Sequence, residues 1–376
     1  MIYFDNAATT QIFEECTEIV TKYNSRYFFN PSAAYDRAVN VATDVKKARI
    51  SIADSLDVDR SEIFFTSSGT ESDNTALRGV LRKNTGRILI GAGEHAAVYN
   101  TATVMKNSGV KVDFIPIDKY GEIRYDVLES MLTDDVSLVS VMHVNNETGA
   151  INDVKRIVSL AKSKSDALVH SDGVQAYCKI PVDLLYLGVD MYSFCGHKIH
   201  APKGIAGLYI RRGVSLNPLI TGGGQESNFR SGTENTSGII AFAEASRILG
   251  AKLNDNFAKV NKINLFLRDF FSNIPDCRIN SAPSASPYIL NVSIKGVRGE
   301  VLLHTLEKED IYISTGSACS SKKGISRLYG AMGMSKEAAE GTIRISLSEQ
   351  NTMQEAERFA SVTEEKISEL RKFVRK

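Results

Sequence analysis

The 376-residue chain has almost no charge imbalance: 45 Lys and Arg against 44 Asp and Glu leave a formal +1. A charge-dominated nucleic-acid surface is therefore not expected, since phosphate binding draws on a basic excess. Cysteine is scarce. The five, Cys16, Cys178, Cys195, Cys277 and Cys319, are odd in number and widely spaced, with no C-x-x-C pair. That pattern disfavours both a disulfide framework and a zinc site, so a cysteine that matters here acts singly. No apolar run reaches membrane-spanning length, and the start, Met1-Ile2-Tyr3-Phe4-Asp5-Asn6, lacks a basic region followed by an apolar one. A cytoplasmic protein with no membrane contact is expected. Internal repeats and low-complexity segments are lacking too, and Gly222-Gly223-Gly224 is short enough for a plain turn.

What the chain does have is length and alternation. Its size allows a large core and suggests about two domains. Short β-branched and apolar runs at 62–66, 87–92, 110–117, 137–142, 167–171, 191–195 and 207–210 alternate with amphipathic stretches at 36–55, 72–83, 97–107, 125–131 and 153–164. This is the βαβ pattern of an α/β fold with a mostly parallel sheet, whose ligands bind at the carboxyl ends of the strands. After about residue 250 the pattern changes. A charged helix at 249–272 and a loop at 275–287 precede strands near 288–294, 311–314 and 342–346, with helices at 299–308, 336–340 and 353–374. The expected division is a large domain at 13–250 and a smaller α+β domain at 251–376, completed by residues 1–12.

The residues that could carry chemistry sit at the predicted strand ends. Lys198 follows an apolar strand in Tyr192-Ser193-Phe194-Cys195-Gly196-His197-Lys198, and Asp172 closes the preceding strand in His170-Ser171-Asp172-Gly173-Val174-Gln175. A lysine so placed suits Schiff-base attachment of pyridoxal 5'-phosphate (PLP), and an aspartate one βα unit earlier suits its protonated pyridine nitrogen. Thr66-Ser67-Ser68-Gly69-Thr70-Glu71 reads either as an ordinary Ser/Thr helix cap with its Glu or as a phosphate cradle at a helix N-terminus. His95, in Gly93-Glu94-His95, is either a structural histidine or an imidazole that stacks on a flat ring and moves protons. Asn145-Asn146-Glu147 is an Asx turn or an amide donor to a carboxylate or phenolic oxygen. Arg344 interrupts the strand Thr342-Ile343-Arg344-Ile345-Ser346. An inward arginine needs an anion, from a carboxylate substrate or from the protein. Cys319 lies in a small-residue, basic stretch, Ser314 to Gly324, expected to be a flexible loop whose lysines favour its thiolate.

Together these residues resemble the NifS/IscS-type cysteine desulfurases, in the class V aminotransferase branch of PLP fold type I. The most specific pieces are Met142-His143-Val144-Asn145-Asn146-Glu147-Thr148-Gly149, Gly196-His197-Lys198-Ile199-His200-Ala201-Pro202-Lys203-Gly204, Arg230-Ser231-Gly232-Thr233-Glu234-Asn235 and Gly316-Ser317-Ala318-Cys319. With the start Tyr3-Phe4-Asp5-Asn6-Ala7-Ala8-Thr9-Thr10, the resemblance spans nearly the whole chain. It implies a PLP-binding large domain with a seven-stranded sheet, and an enzyme that converts L-cysteine to L-alanine. The implied roles are Lys198 for the Schiff base, Asp172 for the ring nitrogen, Gln175 for the phenolic oxygen and His95 for stacking and proton transfer. Gly69, Thr70 and His197 would hold the phosphate, and Thr233 the phosphate of the other subunit of a homodimer. Asn146 and Arg344 would bind the substrate carboxylate, and Cys319 would accept sulfur as a persulfide.

Two departures stand out. Cys195 occupies the position where the family usually has a serine that donates to the phosphate, and a thiol is a weaker donor. The tail after Arg344 is shorter than in the housekeeping members, whose tail helps dock an iron–sulfur scaffold. The long Ser/Lys-rich stretch after Cys319 resembles the extended-loop group, not the compact-loop SufS-type group. A protein sulfur acceptor is expected, an iron–sulfur scaffold or a thiolation enzyme. No resident metal is expected, with Cys319 left open as a ligand to the iron of a transferred cluster. A selenocysteine lyase or another class V aminotransferase is the alternative activity, and a non-catalytic sulfur-relay module the alternative class.

Overall fold

The structure, a computed structural model, describes residues 1–81, 86–315 and 325–374. Its strands in chain order are β1 (Ile2–Tyr3), β2 (Ile63–Thr66), β3 (Arg87–Gly91), β4 (Val112–Ile115), β5 (Val136–Ser140), β6 (Leu168–Asp172), β7 (Met191–Cys195), β8 (Ala206–Ile210), β9 (Cys277–Ile279), β10 (Ile289–Ile294), β11 (Ile311–Tyr312) and β12 (Thr342–Ser346). Among the described residues a seven-stranded sheet runs in the order β2-β8-β7-β6-β5-β3-β4. The pairings among β7, β6, β5, β3 and β4 are parallel, and β8 is antiparallel to both its neighbours. This is the α/β, mostly parallel architecture expected. Every residue of β7 and β8 is buried, as befits central strands covered on both faces.

Helices cover this sheet. Glu14–Ser25, Asp36–Asp54 and Thr236–Gly250 pack together on it, and Gly69–Gly79 packs beside Ala96–Asn107. The helix Thr236–Gly250 was not expected. Ile239, Ala241, Phe242, Ala243, Ala245 and Leu249 are buried around nearly all its sides, so it has little amphipathic period to read. The expected helix at 249–272 is in fact the separate helix Leu253–Asn273, beginning after the break at Ala251 and Lys252. Glu14–Ser25 also went unread, because only Cys16 and Tyr23 of its residues are buried.

A second, three-stranded antiparallel sheet, β12-β10-β9, carries its own apolar cluster. Ile2, Phe4 and Ala7 enter that cluster with residues between Val260 and Ile367, so the chain's first residues pack against its last third. The expected loop at 275–287 contains β9. Leu328, Tyr329, Met332 and Met334 pack with the large cluster instead. No helix among the described residues is long and apolar enough to cross a membrane.

Candidate active site

β6 and β7 are parallel neighbours with Asp172 in register with Ser193, so their carboxyl ends deliver Asp172 and the Lys198 turn to the same edge of the sheet. Gly173 is required at that edge: a Cβ there would meet the Tyr192 ring at about 2.0 Å. Beyond β7 the chain makes a single 3-10 turn, Gly196–Lys198. The N-terminal segment crosses over it: Thr10 N–H donates to the His197 carbonyl at 3.0 Å, and Phe13 N–H to that of His200 at 2.9 Å. Lys198 Nζ in turn donates to the carbonyls of Ala7 and Ala8 at 2.5 and 2.6 Å.

These elements enclose a cavity of about 430 Å³. It brings together Gly69, Thr70, His95, Asn146, Asp172, Gln175, Cys195, His197, Lys198 and Arg344, ten of the twelve residues singled out above. Thr233 lies elsewhere. It lines a smaller recess of about 120 Å³ with Ser67, Arg230 and Glu226, while the adjacent Ser68 lines the main cavity. Arg230 Nε donates to Glu71 at 2.8 Å and so ties that recess to the helix Gly69–Gly79. Cys319 is outside the described residues.

Electrostatics at the cavity floor are unusual. Asp172 is buried, and its Oδ1 accepts from Val174 N–H at 2.9 Å. Burial raises its pKa, an effect opposed by His95 and Lys198. The Lys198 amine shifts the other way, lowered first by burial, which favours its neutral, nucleophilic form more than in an ordinary lysine. Asp73 lines the same floor, its buried Oδ1 without a hydrogen bond and 3.6 Å from His170 Nε2, and burial followed by the Asp172 charge pushes its pKa up. Asp73, His95 and Asp172 each bring one ligand atom within 4.8 Å of the others. Among the described residues it is the one trio with metal-ligand spacing, and a cationic ring nitrogen relieves the same crowding of acid. The donor set therefore fits PLP.

The capping and turn readings of several segments hold, and the same segments also line the cavity. Ser68 caps its helix by accepting from Glu71 N–H at 3.1 Å, and Glu71 accepts from Ser67 N–H at 2.9 Å, yet Ser68, Gly69 and Thr70 also line the cavity. Asn145 makes the Asx turn, accepting from Glu147 and Thr148 N–H at 2.9 Å, while its neighbour Asn146 faces the cavity. His95 caps the helix Ala96–Asn107 through Nδ1, which accepts from Ala97 N–H at 3.2 Å. The neutral ring thus carries its proton on Nε2. Its ring is open to solvent on one side, but the protein packed around it still lowers its pKa. His197 Nδ1 lies 3.3 Å from Thr9 Oγ1, and burial pushes its pKa down to about 4. Cys195 is buried, and burial pushes its thiol up to about 12, so it stays neutral.

Arg344 is held by the protein on two sides. Nη2 donates to Asp5 Oδ1 at 2.8 Å and Nη1 to the Asn146 carbonyl at 2.9 Å, with Glu147 Oε1 at 3.6 Å from Nη1. Its Nε, fully buried, has no partner. The guanidinium thus keeps one donor that the protein does not use. Asp5, Asp73 and Glu147 were missed as site residues, since an isolated carboxylate in a sequence carries no sign that it will be buried.

The family model for class-V aminotransferases matches residues 2–359. The chain belongs to that family. Its relatives within it include the protein named cysteine desulfurase IscS of Methanosarcina thermophila, 36% identical over 375 residues, covering 98% of this chain and 93% of that protein. A solved NifS-like protein superposes with a TM-score of 0.92 at 37% identity, covering 98% of this chain and 99% of that one. A solved structure of SspA in complex with cysteine superposes with a TM-score of 0.83 at 31% identity, covering 94% of this chain and all of that one (100%).

Proposed function

We propose that the chain is a PLP-dependent cysteine desulfurase that takes sulfur from L-cysteine, releases L-alanine and passes the sulfur on from a cysteine persulfide. The observation that carries this reading is the pairing, beyond adjacent parallel strand ends, of a buried aspartate with a lysine amine whose pKa burial lowers. The similarity to proteins named for the same activity supports it.

In this reading Lys198 holds PLP, Asp172 its ring nitrogen, Gln175 its phenolic oxygen, and Gly69, Thr70, His197 and Cys195 its phosphate. PLP, when bound, supplies the electron sink that acidifies the substrate α-carbon. Lys198, as a free amine, takes the α-proton, and burial, by lowering its pKa, makes more of the neutral amine available for this than an ordinary lysine has. Arg344 and Asn146 orient the substrate carboxylate, with the orphan Nε as its donor. His95, neutral with a proton on Nε2, exchanges protons at the cavity wall. The Cys319 thiolate attacks the substrate sulfur: a sulfur–sulfur bond forms as the substrate C–S bond breaks, and the substrate carbon takes up a proton to leave as alanine.

The same proposal includes the two-domain division at 13–250 and at 1–12 with 251–376, a cytoplasmic homodimer in which Thr233 completes the other subunit's phosphate site, and delivery to a scaffold or thiolation protein. The test is product analysis with L-cysteine and no keto acid. Equimolar alanine and sulfide in the presence of a thiol reductant are expected. Dependence on an added keto acid would overturn the reading in favour of an aminotransferase, and turnover confined to L-selenocysteine would favour a lyase.

A further inference from the structure

Lys179 is buried four residues beyond Gln175, in the run of turns after β6, and none of the roles above uses it. Its Nζ donates to Gln175 Oε1 at 2.9 Å. At the other end of that carboxamide, Nε2 donates to the Ala7 carbonyl at 2.9 Å. The same carbonyl accepts from Lys198. Cys178, immediately before Lys179, has φ 58°, a left-handed conformation uncommon for a residue with a side chain. Held strain of this kind often marks a functional site.

The two ends of a carboxamide are nearly equal in shape, so its partners decide which end faces where. An ammonium has only donors, and a neutral amine still offers N–H. The charged and titratable groups around Lys179 are Lys198, Cys195, Glu349, Arg344, His197, Cys178 and Tyr288. Among them, burial first and then the Lys198 charge lower its pKa to about 7, so both forms occur near neutrality and both can donate to Gln175.

We propose that Lys179 is a positioning residue, locking Gln175 with its N–H₂ end toward the cavity so that the second N–H meets an anionic oxygen on the bound cofactor's ring. The proposal rests on the PLP reading above and assigns Lys179 no contact of its own with cofactor or substrate.

The test follows the visible band of bound PLP against pH in the wild type, Gln175→Ala, Lys179→Met and the double variant. An N–H aimed at an oxyanion favours its deprotonated form, so losing that N–H raises the midpoint. The expected rise for Gln175→Ala is about one unit, the scale of one hydrogen bond to a charged group. Lys179→Met should raise it by a similar amount, and the double variant should match either single change, because both act through one amide. Additive shifts, or no shift in Lys179→Met, would overturn the proposal. A lysine acting only through its charge on Lys198 would add its shift to that of Gln175→Ala in the double variant, and a merely structural one would change thermal stability alone. Should Lys179→Met fail to fold, Lys179→Arg keeps a donor and must keep the wild-type midpoint; a shift equal to that of Gln175→Ala overturns the role. Absence of any visible band in the wild type overturns the PLP reading and this role with it, whereas a band with additive shifts overturns this role alone.

Discussion

Lys198 Nζ and the Ala7 carbonyl oxygen lie 2.5 Å apart, so the mid-chain amine beyond β7 is held by the first residues of the sequence. The contact has two consequences. It fixes the amine over the cavity floor, and it makes the site depend on packing between the first residues and the last third of the chain. Burial lowers the Lys198 pKa from the ordinary lysine value.

Borohydride reduction of the yellow holoenzyme should therefore place the label on Lys198. The neutral amine is the form that reacts, and a lowered pKa means it predominates at lower pH than for an ordinary lysine. PLP uptake by the apoprotein should rise with pH through a midpoint below the ordinary lysine value of about 10.4. Label on Lys203 or Lys179, or uptake that rises only above that value, would contradict the assignment.

Arg344 separates binding from chemistry. Arg344→Lys keeps a charge but loses the planar donor set, and with it the Nε that the protein leaves unpartnered. KM for L-cysteine should rise about tenfold or more, in line with the loss of one hydrogen bond to a charged group. A kcat loss at unchanged KM would place Arg344 outside carboxylate binding. Arg344→Ala should also destabilise the fold, because Asp5 and Glu147 lose their shared cation.

Much of this was legible because the chemistry lies at the ends of buried strands. The apolar runs of β6 and β7 end in Asp172 and at the turn to Lys198, and the alternation of runs and amphipathic stretches gives the sheet. Other parts were not legible, for physical reasons. Helix Thr236–Gly250 is apolar nearly all round, so its period is hidden. Asp73 and Glu147 look like surface carboxylates until tertiary packing buries them. The Lys179–Gln175 contact lies beside a left-handed residue, Cys178, which nothing in the residue type announces.

Cys195 offers a change expected to improve the site. Its thiol is neutral and a weak donor, so Cys195→Ser should retain PLP up to about tenfold more tightly during dialysis. Weaker retention would show that the sulfur serves packing against its buried surroundings and does not face the phosphate.

Subunit mixing examines Thr233, which lies outside the main cavity. Heterodimers of Lys198→Ala with Thr233→Ala subunits should carry one site with both lesions and one with neither, and so recover activity. No recovery, with subunit exchange demonstrated, would contradict a shared site.

The most direct measurement is intact-mass and peptide mass spectrometry after brief exposure of the holoenzyme to L-cysteine, with Cys319→Ala alongside. The account predicts one added sulfur atom on Cys319. The variant should still bind PLP and respond spectroscopically to L-cysteine, yet produce neither persulfide nor sulfide, while replacements of Cys16, Cys178 and Cys277 should have little effect. Full sulfide production by Cys319→Ala would contradict the persulfide route.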